Sequence, residues 1–155
     1  MHHPSSFFTF ILLSILGAAQ CFAQEFSCRV SAGAVQPMRR SFAAVELRTQ
    51  VAPLCAMAVA GEFSPTGSNL CPKLVIGRQS GLSIEAGIGW AHRWQKVDCS
   101  DHNYHTYLLG LMWTRRLARR LSFFAGPSMF WRSYESHIGL HRGTLRLNAG
   151  LSYRL

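Results

Sequence analysis

Residues able to do chemistry are sparse and scattered in this chain. Seven histidines and seven acidic residues are spread over 155 positions. The densest group is Asp98, Cys99, Asp101, His102 and His105, with His137 and His141 in a later polar segment. Imidazole and carboxylate donors of this kind suit Zn²⁺ or Cu²⁺. That makes His102, His105, His137 and His141 the candidate metal ligands. Polar loops hold such residues without any metal, so the reading is no metal site and no cofactor. Ser136 and His137 are adjacent. A nucleophile needs its base within about 3 Å, which adjacency in a loop does not supply, so no catalytic residue is assigned.

The remaining chemistry lies in thiols and charge. Cys28, Cys55, Cys71 and Cys99 include no C-x-x-C pair, which argues against zinc or thioredoxin-like chemistry. The formal net charge is +9, carried mostly by Arg. Nucleic acid is a common partner for such a balance. Here the basic residues are spread out in runs no longer than a pair, and nucleic acid is not expected as a partner. The start of the chain reads as an export leader. Residues 7–19 are apolar but too short for a membrane helix, and Cys21-Phe22-Ala23 puts small residues at −3 and −1. Cleavage before Gln24 is expected. Residues 1–23 are thus a signal peptide and 24–155 the folded domain. Gln20 stands where a lipoprotein needs a small residue before Cys21.

The elements that must position these residues are strands. Residues 144–155 alternate almost without error. Leu145, Leu147, Ala149, Leu151, Tyr153 and Leu155 share one face, and Arg146, Asn148, Gly150, Ser152 and Arg154 the other. A period of two is the mark of an amphipathic strand. Seven further segments read the same way, at 26–35, 42–51, 54–63, 73–78, 82–94, 104–116 and 121–134. The facing of the Ala-rich third is ambiguous. Ser64 to Asn69 reads as a loop. Links after the second, fourth and sixth strands are short, and the others are longer or more polar. Roughly 130 residues in eight strands of about ten fit the smallest membrane-spanning barrel, with short turns at one end and longer loops at the other. The expected fold class is all-β: an eight-stranded antiparallel transmembrane barrel behind a cleaved signal peptide.

Three features assign the faces. The polar face is rich in Gly and Ser and carries both signs of charge, whereas a water-exposed face more often uses Lys and Glu; Lys73 and Lys96 are the two lysines here. Glu46, Arg48, Glu85, Arg146 and Arg154 then form a polar network in the lumen. Aromatic residues gather near strand ends, with Trp94, Tyr104 and Trp131 near the outer rim and Trp113, Phe123 and Tyr153 near the inner one. They make two girdles at the membrane interfaces. The apolar face is also uncharged over its middle. With this layout Cys71 and Cys99 fall in the second and third outer loops and make a candidate disulfide. Cys28 and Cys55 start strands separated by a third, roughly 10 Å apart and beyond bridging reach, and are expected unpaired.

Gly150-Leu-Ser-Tyr153-Arg-Leu155 resembles the C-terminal signal of Gram-negative outer-membrane barrels: Gly, two residues, an apolar residue, any residue, then a terminal apolar or aromatic one. Leu155 stands where Phe is commoner, and Ala149 where a polar residue is usual. As a pattern over residues 24–155, the chain is similar to the outer-membrane protein A transmembrane domain. That resemblance implies an outer-membrane location, with Gly150, Tyr153 and Leu155 as the signal read by the barrel-assembly machinery. The expected role is structural or surface-interacting and non-enzymatic. Expected partners are outer-membrane lipid and lipopolysaccharide, whose phosphates Arg39, Arg40, Lys73, Lys96 and Arg142 would contact. Two alternatives stand beside it. One is a lipid A-modifying enzyme: Ser83 to Gly89 is faintly similar to a deacylase strand, but the His-x-Ser-Asn motif of that family is missing. The other is a soluble exported barrel that binds an apolar ligand.

Overall fold

A computed structural model describes residues 25–36, 40–94, 103–133 and 143–155. The expected signal peptide, 1–23, lies outside the described residues. Eight strands follow in order: β1 (Phe26–Gln36), β2 (Arg40–Ala52), β3 (Cys55–Ser64), β4 (Gly67–Gly77), β5 (Gly81–Arg93), β6 (Asn103–Arg116), β7 (Leu121–Ser133) and β8 (Thr144–Arg154). Each pairs antiparallel with its sequence neighbours, and β8 returns to β1 with Ser27 opposite Arg154 and Gln36 opposite Leu145. The sheet is therefore a closed barrel without edge strands.

Alternation sets the wall. Along β6 the even positions Tyr104, Thr106, Leu108, Met112 and Thr114 are buried, while Leu109, Leu111 and Trp113 are exposed. The facing of β3 is settled by the same rule. Ala56, Ala58 and Ala60 point inward, and Met57 and Phe63 point out. Small inward residues on β3 leave room for the long charged side chains of neighbouring strands. The exposed face is apolar all round the barrel, with Leu47 and Ile88 each 61% exposed.

Two expectations are corrected. The fourth strand begins at Gly67, not at residue 73, because 64–69 is a tight hairpin rather than a loop. Ser64 pairs with Gly67 and Phe63 with Ser68, and Ser64 Oγ donates to Gly67 O at 3.0 Å. Ser and Asn look like loop residues by composition, but inside a polar lumen they are ordinary strand residues. The links therefore do not simply alternate in length. Residues 53–54, 78–80 and 117–120 are short links at the end where β1 begins and β8 finishes. At the other end 37–39 and 65–66 are also short, and only 94–102 and 134–143 are long.

Prolines and glycines mark the places where the ladder bends its own rules. Pairing of β4 with β5 lapses at Cys71 and Pro72, and pairing of β6 with β7 lapses beside Pro127, since Pro has no N–H to give. At the closing seam, a Cβ on Gly150 would lie 2.2 Å from the carbonyl oxygen of Val30. The glycine is required for β8 to approach β1 this closely, apart from any signalling role. Gly150→Val is expected to cost about 1–3 kcal/mol, the usual range for overpacking. A lowered urea midpoint of the refolded barrel in micelles checks this; an unchanged midpoint would contradict the tight seam.

Candidate functional site

The inward residues of six strands meet along the barrel axis in two ionic tiers. The first is built on Glu85 of β5 and Glu46 of β2. Glu85 Oε1 accepts from Arg29 Nη1 at 3.2 Å and from Arg48 Nη2 at 2.5 Å. Glu46 Oε1 accepts from Arg48 Nε at 3.2 Å, and its Oε2 accepts from Lys73 Nζ at 3.0 Å. Lys73 Nζ also lies 3.7 Å from Glu85 Oε2. Three cations thus share two carboxylates, and all five side chains are nearly withdrawn from solvent.

The second tier lies nearer the long loops. Arg146 Nη1 donates to Glu62 Oε2 at 2.8 Å, and Asn69 Nδ2 donates to the same oxygen at 3.0 Å. Thr106 Oγ1 donates to Asn69 Oδ1 at 3.1 Å. The Arg146 guanidinium lies 3.5 Å from the Phe130 ring centroid and 4.8 Å from that of Phe42. Arg29 lies 4.5 Å from that of Phe124. These contacts give Phe a role on a face that carries buried arginines: the quadrupole of the ring stabilises a cation lacking further oxygen partners. Between the tiers the remaining void is about 20 Å³, room for about one water molecule. Between the tiers the lumen is filled by side chains rather than open.

The network expected from sequence is partly assembled. Glu46, Arg48 and Glu85 meet, while Arg146 belongs to the other tier. Arg154 is corrected. It sits at the mouth where β1 begins and β8 finishes, paired with Glu25 at 3.2 Å and donating to Gln79 Oε1 at 2.7 Å. Reasoning from sequence missed Arg29, Glu62 and Lys73. Arg29 was readable from parity, since Cys28 and Val30 face out. Glu62 sat on the strand of ambiguous facing. Lys73, expected at the rim in contact with lipopolysaccharide, faces the lumen because β4 starts at Gly67 and carries it inside.

Other expected residues divide similarly. Trp94, Trp113 and Tyr153 are exposed on the outer wall, and Phe123 and Trp131 are half-buried. Tyr104 is corrected: it is buried and faces inward, with Arg132 and Arg93 at 5.4 and 6.0 Å from its ring. Its even number on β6 puts it opposite in facing to Trp113. Cys71 is likewise not in a loop. It is fully buried on β4 beside Leu108 and Phe130, with a free thiol. Cys99 lies outside the described residues, and the expected bridge loses its loop-to-loop basis. Cys28 and Cys55 are also free thiols. His105 stands 6.0 Å from Trp90, ring to ring; His102, His137 and His141 lie outside the described residues. Among the described residues no group of three metal-ligating side chains occurs.

A closed barrel with an ionic lumen and an apolar exterior defines the architecture of transmembrane barrels, and the comparisons agree on fold. The chain is similar to the N-terminal β-barrel domain of Pseudomonas aeruginosa OprF, with a TM-score of 0.58 and 12% identity, covering 84% of this chain and 97% of that one. It is also similar to a barrel from the de novo design of transmembrane β-barrels, with a TM-score of 0.55 and 10% identity, covering 84% and 95%. No family model and no curated protein matches the sequence.

Removing one partner from a buried ionic group costs about 3–5 kcal/mol. Glu85→Gln strands Arg29 and Arg48 on a single carboxylate, and is expected to destabilise the barrel by about that much in urea unfolding. Lys73→Met should cost less, because Glu46 and Glu85 keep their arginines. Equal losses would contradict the arrangement.

Proposed function

We propose that this chain is an integral outer-membrane β-barrel of a Gram-negative bacterium, with a structural or surface-interacting, non-enzymatic role. The observation that carries the reading is the inversion of the two faces. Leucine, isoleucine and tryptophan lie exposed around the whole wall, while arginine and glutamate are enclosed. A water-soluble monomer rarely exposes a contiguous apolar patch of more than a few hundred Å². In hydrocarbon the same belt is at home, and closure satisfies the backbone polar groups that lipid cannot.

Aromatic placement supports the same orientation. Trp131 and Phe123 sit eight positions apart on β7. That is about 26 Å along a strand, or about 20 Å along the axis at a tilt of about 40°. It approaches the apolar band of about 25 Å expected of such barrels. The short links at the end where β1 begins and β8 finishes then face the periplasm. The connections from β5 to β6 and from β7 to β8 belong to the opposite, outer end, and contact of that end with a surface ligand is the proposed activity. Arg40 begins β2; Arg39, Lys96 and Arg142 lie outside the described residues. These four remain proposed contacts to lipopolysaccharide phosphates. Delivery to the barrel-assembly machinery through Gly150, Tyr153 and Leu155 completes the proposal.

Cell fractionation with electrophoresis before and after boiling tests the location. Heat-dependent mobility in the outer-membrane fraction is the expected result, and recovery in the soluble periplasm would overturn it. Leu109, half exposed at the middle of β6, gives a sharper measurement. Leu109→Arg is expected to cost about 2–4 kcal/mol in bilayers. A barrel bathed in water would tolerate that charge without loss.

A further inference from the structure

The barrel mouth where β1 begins and β8 finishes carries a feature the lipid-facing role does not use. A recess of about 50 Å³ opens into a mouth of about 670 Å³ counted out to solvent. Arg29 and Arg48 form its floor and Arg154 part of its wall. Arg78, Arg116, Arg119 and Arg120 ring its entrance. One carboxylate, Glu25, lines it among the described residues. The carboxylates that pair with the floor arginines, Glu46 and Glu85, line the next cavity along the axis instead. Burial leaves Arg29 Nε without an acceptor. The four entrance guanidiniums make no ion pair with any described residue.

The fold holds these charges together at a cost. Arg78 lies in the link between Gly77 and Gly81, whose φ values of 145° and 114° suit glycine. Leu117 N and Ala118 N both donate to Leu121 O, at 2.9 and 3.0 Å, which tightens the link carrying Arg119 and Arg120. Arg154 N donates to Arg120 O at 2.8 Å and ties that link to β8. Like charges gathered in a concave site raise the local potential and draw a counter-ion. Guanidinium forks match the oxygens of phosphate in bidentate geometry. The recess has room for one oxyanion group, with the rest of a ligand extending toward the entrance.

From this geometry we infer that the mouth is a phosphate-binding vestibule. One phosphoryl group seats among Arg48, Arg116 and Arg154, and further phosphates reach Arg78, Arg119 and Arg120. Glu25, held by Arg154 and Gln79, is the internal competitor that the ligand displaces. The inference goes beyond the proposed membrane role and depends only on a closed barrel, which heat-dependent mobility reports separately.

The test is calorimetric titration of the full chain, refolded in a non-ionic glucoside detergent, with inorganic tripolyphosphate. Saturable one-to-one binding is expected. Arg119→Ala with Arg120→Ala should weaken it about tenfold or more, since each removes a charge-assisted contact. Arg78→Ala, in a different link, should weaken it as well, and provides a second reading should the double variant not refold. Glu25→Gln should tighten binding a few-fold. Absence of saturable binding, or binding indifferent to all these changes, overturns the inference. Hexaglutamate binding as tightly as tripolyphosphate would overturn the assignment to phosphate. Competition by a short-chain phosphatidic acid identifies the source as a lipid headgroup; tripolyphosphate binding that this lipid does not displace identifies a soluble phosphate compound.

Discussion

Closure of β8 on β1 is the constraint on which the rest depends. Eight strands enclose an interior just wide enough for side chains. Every inward residue must therefore find volume, and every inward charge a partner, inside that ring. Alanine on β3 and glycine on β5 supply the volume, and a Cβ on Gly87 would already meet Cys71 Sγ at 2.8 Å. Register is fixed as a consequence. Sliding one strand by a single residue would carry its leucines into the lumen and its arginines onto the apolar wall.

The ionic tiers are what make that interior habitable. Buried charges are expensive unless paired, and replacing a buried pair with packed apolar groups is often neutral or better. Stability alone does not then explain the three cations gathered around Glu46 and Glu85. Their geometry distributes each carboxylate over contacts from other strands: Glu85 of β5 holds β1 and β2, and Glu46 of β2 holds β4. Cross-links of this kind tie strands that are not neighbours in the sheet, something the hydrogen-bond ladder cannot do. The Phe–Arg stacks work alike, joining Phe130 of β7 and Phe42 of β2 through Arg146 of β8.

Much of the architecture was legible because period-two alternation is a local signal. Parity marks eight strands and separates the two faces of β5, β6 and β8, and the charges and aromatics on those faces say which is inside. The misplacements share one physical origin. In a soluble protein, Ser, Asn and Thr between apolar runs mark a turn, whereas here they line a polar interior. Reading 64–69 as a loop moved Cys71 and Lys73 out to the rim, although both lie inside β4. Tyr104 was assigned by chemical type to a girdle where its parity forbade it. The partners of each charge were less legible still. Arg29 with Glu85 and Arg146 with Glu62 join residues far apart in sequence, and such contacts follow from strand stagger rather than from residue pattern.

Stagger also separates the charges along the axis. The carboxylates Glu46, Glu62 and Glu85 lie inside, where desolvation makes each one valuable to a buried cation. The arginines in excess of them must then occupy positions where water, or another anion, replaces the missing carboxylates. Arg116, Arg119 and Arg120 meet that requirement at the mouth, where they are exposed. At the other end Arg93 and Arg132 lie over the face of Tyr104. The positive balance of the described barrel is therefore not a diffuse surface property. Among the described residues the inner carboxylates neutralise the inner cations, and Arg116, Arg119 and Arg120 remain exposed at the mouth where β1 begins and β8 finishes.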